Sequence, residues 1–116
     1  MGLPHSENAR IDPRKISDYL LSTIHPVGRH KQRFFVAVGF SHDQPEDLVA
    51  ALRRVAREGM LRDETATRYG TKYIVDGWLV APIGRVGIRT VWIVPEGSLG
   101  PELVTAFPHS LEREDP

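Results

Sequence analysis

The apolar pattern of this chain changes period near its middle, and that change limits the folds open to it. Up to Gly59 the apolar residues recur at spacings of three and four, the repeat of a helix with one buried side. From Thr71 onward the sequence is dense in aromatic and β-branched residues: Tyr73, Ile74, Val75, Trp78 and Val80, then Val91 to Val94. Such runs suit pleated, buried strands. Helices followed by strands, rather than alternating with them, predict an α+β fold. The expectation is about three N-terminal helices packed on a C-terminal antiparallel β-meander, with the other sheet face open for function.

Local signals set the boundaries. Asp12 before Pro13 opens a first helix with the stripe Ile16, Tyr19 and Leu20, ending near Ser22-Thr23. His25-Pro26 opens a second helix. Val27, His30, Phe34 and Val38 share one side of it, Phe35 widens that side, and Gly39 stops it. Pro45 opens a third, with Glu46 and Asp47 in its first turn, Leu48, Leu52, Val55 and Ala56 as its stripe, and Gly59 at its end. A first strand is expected over 71–80, a turn at Pro82-Ile83-Gly84-Arg85, a central second strand over 86–94, and a short third over 103–107 stopped by Pro108. Asp76-Gly77 reads as a bulge or bend inside the first strand, because a hairpin turn there would leave strands too short to match the later run. The 116 residues fit one domain over 11–108, with a flexible leader over 1–10 and a charged tail over 109–116.

Composition mainly excludes. The chain has no cysteine, which removes disulfides, thiolate metal sites and cysteine nucleophiles and fits a cytoplasmic location. No apolar stretch approaches the roughly 20 residues that span a bilayer, so no membrane partner is expected. The five histidines do not fall at metal-ligating spacings, and neither a P-loop nor a GxSxG elbow occurs; no metal and no cofactor are expected. The formal net charge is zero, which argues against non-specific nucleic-acid binding. The distribution is uneven, however. Arg29, Lys31 and Arg33 form one basic group, and Arg68, Lys72, Arg85 and Arg89 another.

Candidate chemistry follows those groups. His25 to Phe35 sets two histidines and three cations at the start of a helix, where an anion such as phosphate is favoured; Arg29 and Arg33 are its candidate ligands. His30 is a candidate general acid or base, with simple packing beside Phe34 as the alternative. His25 reads instead as a helix-entry residue. Gly70 lets the chain turn, so that Tyr69, Thr71 and Lys72 can present hydroxyls and a cation at the sheet margin. Strand alternation sends Arg89 and Thr90 to opposite faces, leaving Arg89 either on an exposed functional face or paired. Trp92 reads as core, and Thr105 as a polar residue in the last strand.

Taken together, Ile-Asp-Pro-Arg-Lys (11–15), His-Pro-Val-Gly-Arg-His-Lys (25–31), Tyr-Gly-Thr-Lys-Tyr (69–73), Arg-Thr-Val-Trp-Ile-Val (89–94) and Leu-Val-Thr-Ala-Phe-Pro (103–108) resemble an uncharacterised bacterial domain family with this order of motifs. Such domains look like those found alone and at the ends of toxin-like proteins. A more distant likeness is to barnase/EndoU/RelE-like ribonuclease toxins, which pair N-terminal helices with an antiparallel sheet. That likeness implies a metal-independent ribonuclease-like toxin module. It makes His30 the acid/base, sets Lys72 and Arg89 to stabilise charge on the scissile phosphate, and leaves Thr105 or Tyr69 to orient it. The partners it implies are RNA and a cognate antitoxin or toxin protein. The alternative is a non-enzymatic antitoxin or immunity-type binding module. The chain departs from the usual basic character of small ribonuclease toxins, and no glutamate falls among the candidates.

Overall fold

A computed structural model describes residues 2–16, 28–98 and 100–111, with side chains for all of these except Pro13, Arg29 and His30. A 3-10 turn, Ser6–Asn8, is followed by one helical turn α1 (Pro13–Lys15), helices α2 (Gly28–Ala37) and α3 (Pro45–Glu58), and strands β1 (Met60–Thr67), β2 (Gly70–Ala81), β3 (Gly84–Pro95) and β4 (Glu102–Pro108). The α+β class and the antiparallel meander are as expected: the sheet order is β1-β2-β3-β4. The count of about three N-terminal helices is not confirmed among the described residues. Among the described residues only α2 and α3 exceed a single turn, and most of the first predicted helix, with Tyr19, Leu20 and Ser22-Thr23, lies outside them.

The helix boundaries follow local chemistry. The Asp12 carboxylate accepts the Arg14 N–H at 2.9 Å and caps α1. At the end of α2, Phe40 N–H donates to Phe35 C=O and Gly39 N–H to Val36 C=O, both at 3.0 Å, the paired bonds of a Schellman stop. Gly39 takes the positive φ this requires, 108°, and the Phe35 and Phe40 rings meet edge to face across the stop. In α3, Leu48, Ala51, Leu52, Val55 and Ala56 are buried, and they pack on β2.

Alternation then sorts the sheet. Val75, Leu79, Ile88, Thr90, Trp92, Leu103 and Ala106 are buried on the α3 side. Trp92 is core, as expected, and its indole N–H donates to Thr90 Oγ1 at 2.7 Å. Gly77 lies under α3, where an added Cβ would sit 3.1 Å from Val55 Cγ1 and 3.2 Å from Gly59 Cα, so these neighbours would have to give by a few tenths of an ångström.

Other details differ from the sequence reading. β2 pairs with β3 without a shift through Asp76 and Gly77, so no bulge occurs there; the irregularity lies in β1, where Arg62 is the extra residue between Leu61 and Asp63. β1 itself was not expected, because most of its residues are polar and almost all are exposed. The stretch read as a leader carries Leu3 and Ala9 into the core, and Arg10 bridges to Glu102 along the outer edge of β4. No helix among the described residues is long and apolar enough to cross a membrane.

Candidate functional site

Among the described residues, the sheet face away from α3 carries one buried charge. Asp76 points there from β2 and is 2 % exposed. The two-residue loop Pro82-Ile83 fixes the register of the β2–β3 hairpin and sets Asp76 directly opposite Arg89. The Arg89 Nε and Nη2 donate to the two carboxylate oxygens, each at 2.8 Å, in a fork-to-fork pair. The extra residue of β1 brings the Arg62 Nε to 3.4 Å from Asp76 Oδ2. His109, just past β4, sets its Nε2 3.6 Å from the same oxygen.

The fourth member depends on a glycine. His109 N–H donates to Gly87 C=O at 3.1 Å, and the His109 carbonyl occupies the space that a Cβ on residue 87 would need. With no side chain at Gly87, the C-terminal segment can cross β3 closely enough to hold the imidazole over Asp76.

One carboxylate thus faces two guanidiniums and an imidazole. Burial by itself would raise the Asp76 carboxyl. The Arg89 hydrogen bonds, with the charges of Arg89, His109 and Arg62, outweigh that and hold it below the ordinary aspartate range. The same pair raises Arg89 further. The carboxylate is sealed, but Arg62, Arg89 and His109 are all partly exposed. Two clefts reach the cluster: one of about 330 Å³ beside Arg62 and Asp76, and one of about 430 Å³ beside Gly87 and His109. The set can bind an anion through guanidinium N–H groups not spent on Asp76 and can move a proton through the imidazole.

The residues expected from the sequence divide. Lys72, Arg89 and Thr105 share this face: Lys72 lies opposite Ile93, and Thr105 lies opposite Val91, with Arg89 two residues along from Val91. Of the two readings of Arg89, the paired one holds, on a face that is also partly open. Thr71 alternates to the α3 side, and Tyr69 stands at the tip of the β1–β2 hairpin, 70 % exposed. Arg33 is exposed on α2. Arg29 and His30 fall in the first turn of α2, and their side chains lie outside the described residues, as does His25 entirely. Lys31, next in sequence after His30, sets its Nζ 5.1 Å from the centre of the Phe107 ring, and Phe107 lies opposite Arg89.

Sequence reasoning missed Asp76, Arg62 and His109 as members of a site. For Asp76 a signal existed. Counting back from the Pro82-Ile83 turn pairs residue 76 with residue 89, and an acid amid apolar strand residues calls for a cation. For Arg62 and His109 there was none, because both depend on a bulge and a crossing that only the fold reveals.

The fold is also that of a chain in a contact-dependent growth inhibition toxin–immunity protein complex from Klebsiella pneumoniae 342. The match has a TM-score of 0.68 at 13% identity and covers 85% of this chain and 98% of that one. Among curated proteins none matches. Residues 2–110 match the family described as a domain of unknown function, DUF6883, and the chain belongs to that family.

Proposed function

We propose that this domain is a metal-independent ribonuclease-like toxin module acting on RNA in the cytoplasm, with a cognate protein that neutralises it. The observation that carries the reading is the cluster of Asp76, Arg62, Arg89 and His109 on a partly open sheet face. The shared fold with a chain of a toxin–immunity complex agrees with it.

RNA cleavage without a metal needs few groups. A base takes the proton of the 2′-hydroxyl, the 2′-oxygen bonds to phosphorus, the bond from phosphorus to the 5′-oxygen breaks, and an acid protonates that leaving oxygen. Cations stabilise the extra charge on the phosphorane. In this reading Arg62 and Arg89 hold the phosphate, Lys72 holds a neighbouring one, and Asp76 positions both guanidiniums. His109 moves one proton and His30, at the head of α2, the other. Thr105 and Tyr69 orient the backbone, and Arg29 and Arg33 contact flanking phosphates; Thr71, on the α3 side of the sheet, takes no part. The test is expression in a bacterial host together with cleavage of total RNA in EDTA. Growth arrest and cleavage that His109→Ala or His30→Ala each abolishes, with the fold intact, support the reading. Cleavage unchanged in both variants, or none at all, ends it.

A second reading, an immunity-type binding module, is favoured by the exposed apolar residues Met60, Trp78 and Val80 on the same face. Harmless expression, with rescue of cells from a neighbouring toxin gene, would select it.

A further inference from the structure

Beside the cluster lies an edge that the fold leaves unpaired. β1 begins at Met60, opposite Asp76, so residues 77–81 of β2 have β3 on one side and no described strand on the other. Ala81 pairs with Gly84 across the two-residue loop. The alternation of an antiparallel pair then turns the backbone N–H and C=O of Trp78 and Val80 toward that open side. Exposed edges are usually blunted by charge, proline or a covering element. Here the side chains are apolar instead: Met60, Trp78 and Val80 are each exposed.

The 330 Å³ cleft runs along this edge, and its charged lining is mostly basic: Arg54, Arg62 and Arg85 against Glu58 and the sealed Asp76. Arg54 is held by Glu58 at 2.9 Å, and Arg62 leans on Asp76. Arg85 lies 5.1 Å over the Trp78 ring and makes no ion pair among the described residues.

We infer that this edge receives an extended acidic segment of a partner protein, which adds as a strand beside Trp78 and Val80. A strand edge offers donors and acceptors in alternation, and another peptide backbone matches both. A phosphodiester group offers acceptors alone, and RNA adds a donor only at its 2′-hydroxyl. Carboxylates on the incoming strand meet Arg62 and Arg85, while its apolar residues cover Met60, Trp78 and Val80. Arg62 belongs to both cleft and cluster, so the docked strand covers one approach to Asp76. That this would silence an activity rests on the function proposed above; the docking does not.

The test pans a phage-displayed library of random segments of about ten residues on the whole chain. Recovered peptides are then measured against Val80→Pro and Arg85→Glu. The proline removes the edge N–H and leaves the bonds to β3, which do not use it. The glutamate reverses the unpaired cation and spares the backbone. The expected peptides are rich in acidic and β-branched residues and shift the amide resonances of Trp78 and Val80. They bind each variant at least about tenfold more weakly. If Val80→Pro does not fold, the amide shifts and Arg85→Glu decide. Peptides that bind both variants as well as wild type, or no enrichment on wild type, overturn the inference. It also fails if single-stranded RNA shifts the same resonances and loses affinity in Arg85→Glu but not in Val80→Pro; the cleft is then a nucleic-acid surface. Peptide binding without RNA cleavage would remove the ribonuclease reading and leave the edge standing.

Discussion

Asp76 is the residue on which most of the site depends. A carboxylate at 2 % exposure persists as an anion chiefly because Arg89 meets it with two hydrogen bonds, with the charges of His109 and Arg62 beside it. Arg89→Ala therefore strands a buried charge, and we expect a loss of about 3 kcal/mol in urea unfolding. Arg89→Lys, which keeps the charge without the fork, should fall between that variant and wild type. The acid limb carries a second prediction. The folded carboxyl titrates below its unfolded value, so the unfolded chain takes up this proton first as pH falls. The contribution is complete above the ordinary aspartate value of about 3.9 and is lost as pH drops through that value toward the lower folded one. Urea midpoints of wild type and Asp76→Asn should therefore differ at neutral pH and converge in acid. Parallel curves would mean that another group controls the acid limb.

At the scale of elements, stability and site are set by how closely backbones approach. Gly77→Val forces two further carbons against Val55 and should cost about 1–3 kcal/mol, read as a lower melting temperature. Gly87→Val acts elsewhere. It collides with the His109 carbonyl, so it should free the C-terminal segment, raise amide exchange at His109 and abolish any cleavage, with little change in the melting temperature. Elements of this kind were unevenly legible in the sequence. α3 and β3 announce themselves because each buries a regular apolar set, as does the Gly39 stop. β1 was hidden because an edge strand need bury little; its charged residues serve solubility, and only pairing with β2 makes it a strand. Asp76 was misread as a marker of local geometry because a short run shows the aspartate but not the arginine thirteen residues away that pairs with it.

Across the whole molecule, a formal charge of zero conceals a division between faces. One face is helix-covered and apolar; the other gathers Arg62, Lys72, Arg85 and Arg89. If RNA binds there through three or four of these cations, the logarithm of affinity should fall with the logarithm of salt concentration at a slope of about −2 to −3. A slope near zero would leave the basic face without that role.

The meander pairs each strand only with its neighbours in sequence, and this gives the site an order of assembly. The turn at Pro82-Ile83 can zip β2 to β3 early, and the aspartate–guanidinium pair arrives with that hairpin. Arg62 must wait for β1 to add, and the imidazole for β4 to dock and the chain beyond it to cross Gly87. Because the imidazole needs both a docked β4 and the chain beyond it crossing Gly87, loosening of that last segment alone would withdraw His109 and leave the Asp76–Arg89 pair in place.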